Sequence, residues 1–223
     1  MAELPKYPST GHWPHSLTVH RDDTYHRNAE HFVGKEVVIT EKLDGGNTSL
    51  HNGEVYARST VGVSHAGWMG MVRKHHAWKT SGMTRYMIYG EDIAAFHSLP
   101  YSVPEDQTYH VFAIRDLVYM DWLSWDDVVA TAAQYNLTTA PLLFRGTFES
   151  VDAIQQWFTA NLKLPSAFGN EKEGFVMRIA DAFHVSSFSD NVCKFVRPKH
   201  VQTDQHWTKN WQWNELTRGN NAG

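Results

Sequence analysis

The chain has 223 residues, 42% of them apolar and 20% charged, which is ordinary for a globular protein and enough for one sizeable core. A formal net charge of -4 excludes holding nucleic acid by bulk positive charge, so any polynucleotide must meet a local basic patch. One cysteine, Cys193, excludes an internal disulfide and a thiolate metal cluster. The N-terminal residues Met1 to Pro8 have no apolar h-region and no apolar run approaches bilayer length, so a cytoplasmic protein without membrane association is expected.

Strand signals dominate along the chain. Glu36 to Thr40 is β-rich. Thr48 to His51 and Glu54 to Ala57 flank Asn52-Gly53, a strong signal for a two-residue hairpin turn. A weaker helical pattern covers 66–79, and strands are predicted at 86–90 and 109–114. Ser124 opens a helix with Asp126 and Asp127 in its first turn and a stripe of Val128, Val129, Ala132 and Tyr135. Pro141 precedes Leu142-Leu143-Phe144, read as an edge strand. A second helix starts near Ser150 with Val151, Ile154, Trp157 and Phe158 as its stripe. Strands follow at 174–179, 183–188 and 192–196, and the tail from Arg218 to Gly223 reads as frayed. Sequential strands with a few helices between them give an α+β class, antiparallel sheets with flanking helices, in a single domain over 1–223.

Chemistry concentrates first at Lys42-Leu43-Asp44-Gly45-Gly46-Asn47, directly after the first long strand. A lysine there can face a ligand while its backbone is held, and glycines let the chain approach a phosphate closely. Lysine attacks only as the neutral amine, which requires burial or neighbouring cations to depress its pKa. Read alone, so short a pattern is better taken as a surface lysine in a polar turn. The hairpin adds to it: pairing His51 with Glu54 and Leu50 with Val55 carries Asn47 opposite Arg58. A cation beside the lysine loop can both lower the lysine pKa and hold a phosphate.

These two segments resemble motifs of the covalent nucleotidyltransferases, the superfamily of DNA ligases, RNA ligases and mRNA capping enzymes. Lys42-Leu43-Asp44-Gly45 is similar to the nucleophile motif and Arg58-Ser59 to the next one. Asn47 stands where DNA ligases and capping enzymes usually carry arginine, and with Glu41 it resembles the RNA ligase 2-like group of ATP-dependent RNA ligases. The resemblance implies the ATP-grasp-like ligase adenylation fold. It implies that Glu91, in Tyr89-Gly90-Glu91, accepts a hydrogen bond from the ribose. Phe112, by itself a core phenylalanine of a strand, would stack on adenine. Glu173, opening Glu173-Gly174-Phe175-Val176-Met177-Arg178, would hold a hydrated magnesium or manganese ion. Lys194, in Lys194-Phe195-Val196-Arg197-Pro198-Lys199-His200, would contact the α-phosphate. The nucleotide set implied is thus Glu41, Lys42, Asp44, Gly45, Asn47, Arg58, Glu91, Phe112, Glu173 and Lys194. Of these, Lys42, Arg58 and Lys194 would be catalytic. The substrates implied are ATP and RNA with 5′-phosphate and 3′-hydroxyl ends, a nicked duplex among them, joined by a monomer.

Two departures stand out. Relatives often carry two lysines in the last motif, spaced by one residue, whereas Lys194 has Val192 and Val196 at that spacing and Arg197 points to the other face of the strand. Ala113 replaces the acidic residue that follows the stacking aromatic in some relatives. The rival readings are a DNA nick ligase, an RNA-capping guanylyltransferase and a non-catalytic RNA-binding module. A metal set of His200, Asp204 and His206 lacks a recognised ligand motif and reads as surface histidines.

Overall fold

The computed structural model describes residues 4–14, 16, 24–58, 62–197 and 211–218. In chain order the elements are β1 (Gly11–His12), β2 (Val37–Lys42), β3 (Gly46–His51), β4 (Glu54–Ala57), α1 (Gly70–His75), β5 (Tyr86–Asp92), β6 (Ser102–Pro104), β7 (Tyr109–Asp116) and β8 (Asp121–Trp122). They continue with α2 (Trp125–Gln134), β9 (Thr138–Thr139), β10 (Leu142–Gly146), α3 (Val151–Asn161), β11 (Gly174–Ile179), β12 (Phe183–His184), α4 (Phe188–Asn191), β13 (Val192–Val196) and β14 (Glu215–Thr217). The first sheet has the order β1-β13-β11-β2-β10 and the second β12-β8-β7-β5-β3-β4, with β9 beside β7. This is the expected α+β class with mostly antiparallel pairing. β1–β13, β7–β9 and β6–β14 are parallel.

The elements form for local reasons that the sequence carries. Asn52 and Gly53 both have positive φ, 49° and 82°, the geometry a two-residue hairpin turn requires. The register is the expected one, Leu50 with Val55 and His51 with Glu54. Ser124 and Ser150 cap α2 and α3 by accepting from Asp127 N and Ala153 N. The edge strand at Leu142 is longer than the apolar triplet and carries a register shift against β2.

Three expectations are corrected. The helix over 66–79 is broken into 3-10 turns at Gly67–Met69 and Ala77–Thr80 around the single short helix α1. The strand over 183–188 ends after His184, because the His184 ring accepts from Ser186 N and starts a 3-10 turn leading into α4. Val129 is 42% exposed, and α2 instead buries Trp125, Val128, Thr131 and Ala132. Just before the tail, Asn214 ties the chain to Ile93, Ala95 and Tyr101 and β14 pairs with β6, while residues 219–223 lie outside the described residues.

Two apolar layers fix the sheets. α3 packs on the outer face of the first sheet, where Phe158 stacks on Phe175 at 5.6 Å and on Phe195 at 4.8 Å. α1 and α2 cover the outer face of the second sheet, over Leu50, Ile88, Val111 and Ile114. The inner faces of the two sheets are thereby turned toward one another. No helix among the described residues is long and apolar enough to cross a membrane.

Candidate active site

Strand register decides which side chains enter the space between the sheets. In the first sheet the rows are Lys42 with Gly174 and Val196, Thr40 with Val176 and Lys194, and Val38 with Arg178 and Val192. Cross-strand partners share a face, so Lys42, Thr40, Val176, Lys194 and Arg178 line one inner wall. The opposite wall carries Asn47 beside Glu91, and Ser49 beside Tyr89 and Ala113. Thr40, Val176, Arg178 and Val192 border one void with Phe112 and Ala113, so the two walls close on each other.

Lys42 ends β2 at the mouth of this cleft. Its Nζ donates to Glu173 Oε2 at 2.5 Å. Burial alone would lower the Lys42 pKa, but the carboxylates of Glu173, Glu91 and Asp44 outweigh it, so the amine is held protonated above its ordinary value. This corrects the expectation that Arg58 depresses the lysine. Arg58 does sit opposite Asn47, whose carbonyl accepts its backbone N–H at 3.3 Å, but its guanidinium donates to Ser9 Oγ at 2.9 Å. Glu91, pressed by burial and by Glu173 and Asp44 against the opposing pull of Lys42, is pushed up to about 8.

The Lys-x-Asp-Gly loop is held by its own residues. Asp44 Oδ2 accepts from Ser98 N at 2.8 Å, Ser98 Oγ at 2.7 Å and Leu99 N at 2.7 Å, while Asp44 N donates to the Tyr101 hydroxyl at 3.0 Å. Burial opposes ionisation, but these bonds and Lys42 hold the carboxyl below its usual value. Asp44→Ala would strand the buried Leu99 N–H and the half-buried Ser98 N–H, and a loss of about 2–3 kcal/mol in a urea titration is expected. A midpoint equal to that of the parent protein would contradict the clamp. Because the folded pKa lies below the unfolded 3.8, this contribution is in place above that value and disappears as pH falls through the folded one. Gly45 has a packing reason: a Cβ there would lie 2.4 Å from Asp92 O, so only glycine lets the loop touch β5.

The other expected site residues divide. Asn47 Oδ1 is buried without a hydrogen-bond partner on the cleft wall beside Glu91, an acceptor that a ligand could satisfy. Lys194 lies on the inner wall, in one row with Thr40 and Val176. Glu41 alternates to the opposite face, where its Oε2 accepts from Ala167 N at 3.1 Å and secures the loop before β11. Arg197 is tied to Glu171, as the strand alternation required. Ser59, Pro198 to His200, Asp204 and His206 lie outside the described residues. Reading the sequence alone missed Tyr7, Thr40, Arg178 and His97. The His97 ring, lowered to about 4 by burial, is close enough to Asp44 and Lys42 to feel their charge, and no motif signals it.

No group of three or more His, Cys, Asp or Glu among the described residues could hold a metal alone. The Glu173 carboxylate beside Lys42 fits a hydrated divalent ion that would take its remaining ligands from water and phosphate.

The sequence profile of the RNA ligase family matches residues 35–196, from just before β2 to the end of β13, and so includes both cleft walls. The chain belongs to the RNA ligase family. No curated protein matches it. Among solved structures it is similar to a ligand-free alanine mutant of Naegleria gruberi RNA ligase, at 15% identity and a TM-score of 0.54 over 76% of this chain and 51% of that one. It is similar to an archaeal ATP-dependent RNA ligase at 16% identity and 0.54, over 87% of this chain and 49% of the other. A putative ATP-dependent DNA ligase from Aquifex aeolicus matches at 17% identity and 0.55, over 87% and 50%. These likenesses show a shared fold, and the chain spans about half the length of each of the three.

Proposed function

We propose that this RNA ligase family member is an ATP-dependent ligase that forms lysyl-AMP on Lys42 and joins RNA ends. The observation that carries the reading is the Lys42–Glu173 contact at 2.5 Å, beside a wall that also presents Val176, Lys194 and, opposite, Phe112 and Glu91. Another alanine mutant of the Naegleria ligase was solved with ATP and Mn, which supports nucleotide and divalent-ion use here.

In this reading the base enters between Phe112 and Val176, and the ribose meets Glu91 and the unsatisfied Asn47 side-chain Oδ1. The neutral Lys42 Nζ attacks the α-phosphorus. The N–P bond forms as the bond to pyrophosphate breaks, and the electron pair leaves with pyrophosphate. A divalent ion held through water by Glu173 would neutralise phosphate oxygens and favour the neutral amine. AMP then passes to a 5′-phosphate, which regenerates the amine, and a 3′-hydroxyl displaces AMP to seal the strand. Lys194 on the inner wall stabilises the charge that gathers on the phosphate.

Because Lys42 is held protonated, the supply of neutral amine limits attack. Adenylylation at saturating ATP is expected to rise with pH between about 6 and 8, approaching tenfold per unit. Quenched-flow labelling at several pH values checks this, and a flat profile would contradict it. Substrate choice is tested with end-labelled RNA and DNA strands carrying 5′-phosphate and 3′-hydroxyl ends, with ATP or GTP. Sealing of RNA with ATP supports the reading. Sealing of DNA alone favours a nick ligase, nucleotide transfer from GTP alone favours capping, and RNA binding without nucleotide transfer favours a non-catalytic module.

A further inference from the structure

The N-terminal segment 4–10 runs into the cleft between the sheets and is pinned on both sides of Tyr7. Pro5 O accepts from the Tyr89 hydroxyl at 2.8 Å, and Ser9 Oγ accepts from Arg58 Nη2 at 2.9 Å. Beyond the second pin, β1 continues in parallel with β13, placing Gly11 beside Cys193 and His12 beside Lys194. Between the pins the Tyr7 ring sits in a box of four aromatic rings, 5.4 Å from Tyr89, 4.9 Å from Phe112, 5.5 Å from Trp122 and 5.2 Å from Phe188. Edge-on contacts of this kind are favourable and directional.

The partners of the segment are the point. Tyr7 shares one void with Phe112, Thr40, Val176 and Arg178, and what is left of that void has room for about one water molecule, far from enough for a purine. Tyr7 packs edge to face with the ring read as the base platform, and Ser9 occupies the guanidinium read as a phosphate holder. We propose that residues 4–10 are an intramolecular competitor of the nucleotide: ATP binds by displacing Tyr7 from Phe112 and Ser9 from Arg58. This rests on reading the cleft as the nucleotide site. The apparent affinity for ATP is then the intrinsic affinity reduced by the fraction of molecules with the segment withdrawn.

The test is the KM for ATP in adenylylation by the full chain. Tyr7→Ala is expected to lower KM by about fivefold or more, and Ser9→Ala to lower it less, because each variant raises the withdrawn fraction. An unchanged or raised KM in both would overturn the proposal and make Tyr7 a fixed wall of the pocket. Should Tyr7→Ala fail to fold, trypsin cleavage of the parent protein after Lys6 decides. ATP should speed that cut by releasing the segment, and ATP that binds but slows the cut or leaves it unchanged overturns the proposal while sparing the nucleotide site. Absence of ATP binding in equilibrium dialysis overturns both.

Discussion

Lys42→Ala is expected to abolish adenylylation and to lower ATP-dependent joining by about four orders of magnitude or more, because it deletes the attacking atom rather than weakening its surroundings. The fold should survive. The Lys42 side chain is 26% exposed and its main contact is the Glu173 carboxylate, so the variant leaves no packed cavity. Its circular dichroism should stay close to that of the parent protein, while loss of the cation that faces the buried Glu173 carboxylate should lower the melting temperature by a few degrees. The same variant should still seal RNA supplied with a pre-formed 5′-adenylate, since the last step uses a 3′-hydroxyl and not the lysine. A variant that labelled normally with ATP would remove Lys42 from the reaction.

Gly174→Ala is expected to be the most damaging small substitution. Gly174 lies between Lys42 on β2 and Val196 on β13. A Cβ there would fall 1.9 Å from Phe195 O, a backbone atom in the neighbouring strand that cannot swing aside. Either β13 is pushed away, taking Lys194 with it, or β11 shifts and Glu173 leaves Lys42. A loss of about 3–5 kcal/mol is expected, on the scale of severe core disruption. For a chain of this length that lowers the melting temperature by roughly 10 °C. A melting temperature within a degree or two of the parent would show that the sheet relaxes around the methyl group. The glycine of the Glu-Gly-x-Val pattern is thus explained by strand packing at this position, as Gly45 is by the approach of its loop to Asp92.

Much of the architecture was legible because it is locally encoded. Asn52-Gly53 set a turn whose register then carried Arg58 to Asn47, and Ser124 and Ser150 announced two helices through cap chemistry. The motifs bring Lys42, Asn47, Glu91, Phe112, Glu173 and Lys194 to one cleft, although they are far apart in sequence. What stayed hidden depends on tertiary contact. The charge state of Lys42 is set by Glu173 and Glu91 from distant strands together with Asp44 of its own loop, and not by the nearby arginine. Asp44 acts on Ser98 and Leu99, which no spacing rule connects to it. Glu41 stands next to the lysine in sequence, yet strand alternation sends it to the far face. Tyr7 precedes every motif and finds Phe112 only once the two sheets have closed.

The most direct test of the central claim is to locate the AMP. The purified protein, first shown to be folded and free of bound adenylate, is incubated with ATP and magnesium, digested under conditions that preserve the phosphoramide, and its peptides are sequenced by mass spectrometry. The account predicts one adenylylated lysine, Lys42, in the Glu41-Lys42-Leu43-Asp44 stretch. An adduct on any other residue, or none at all, would contradict it.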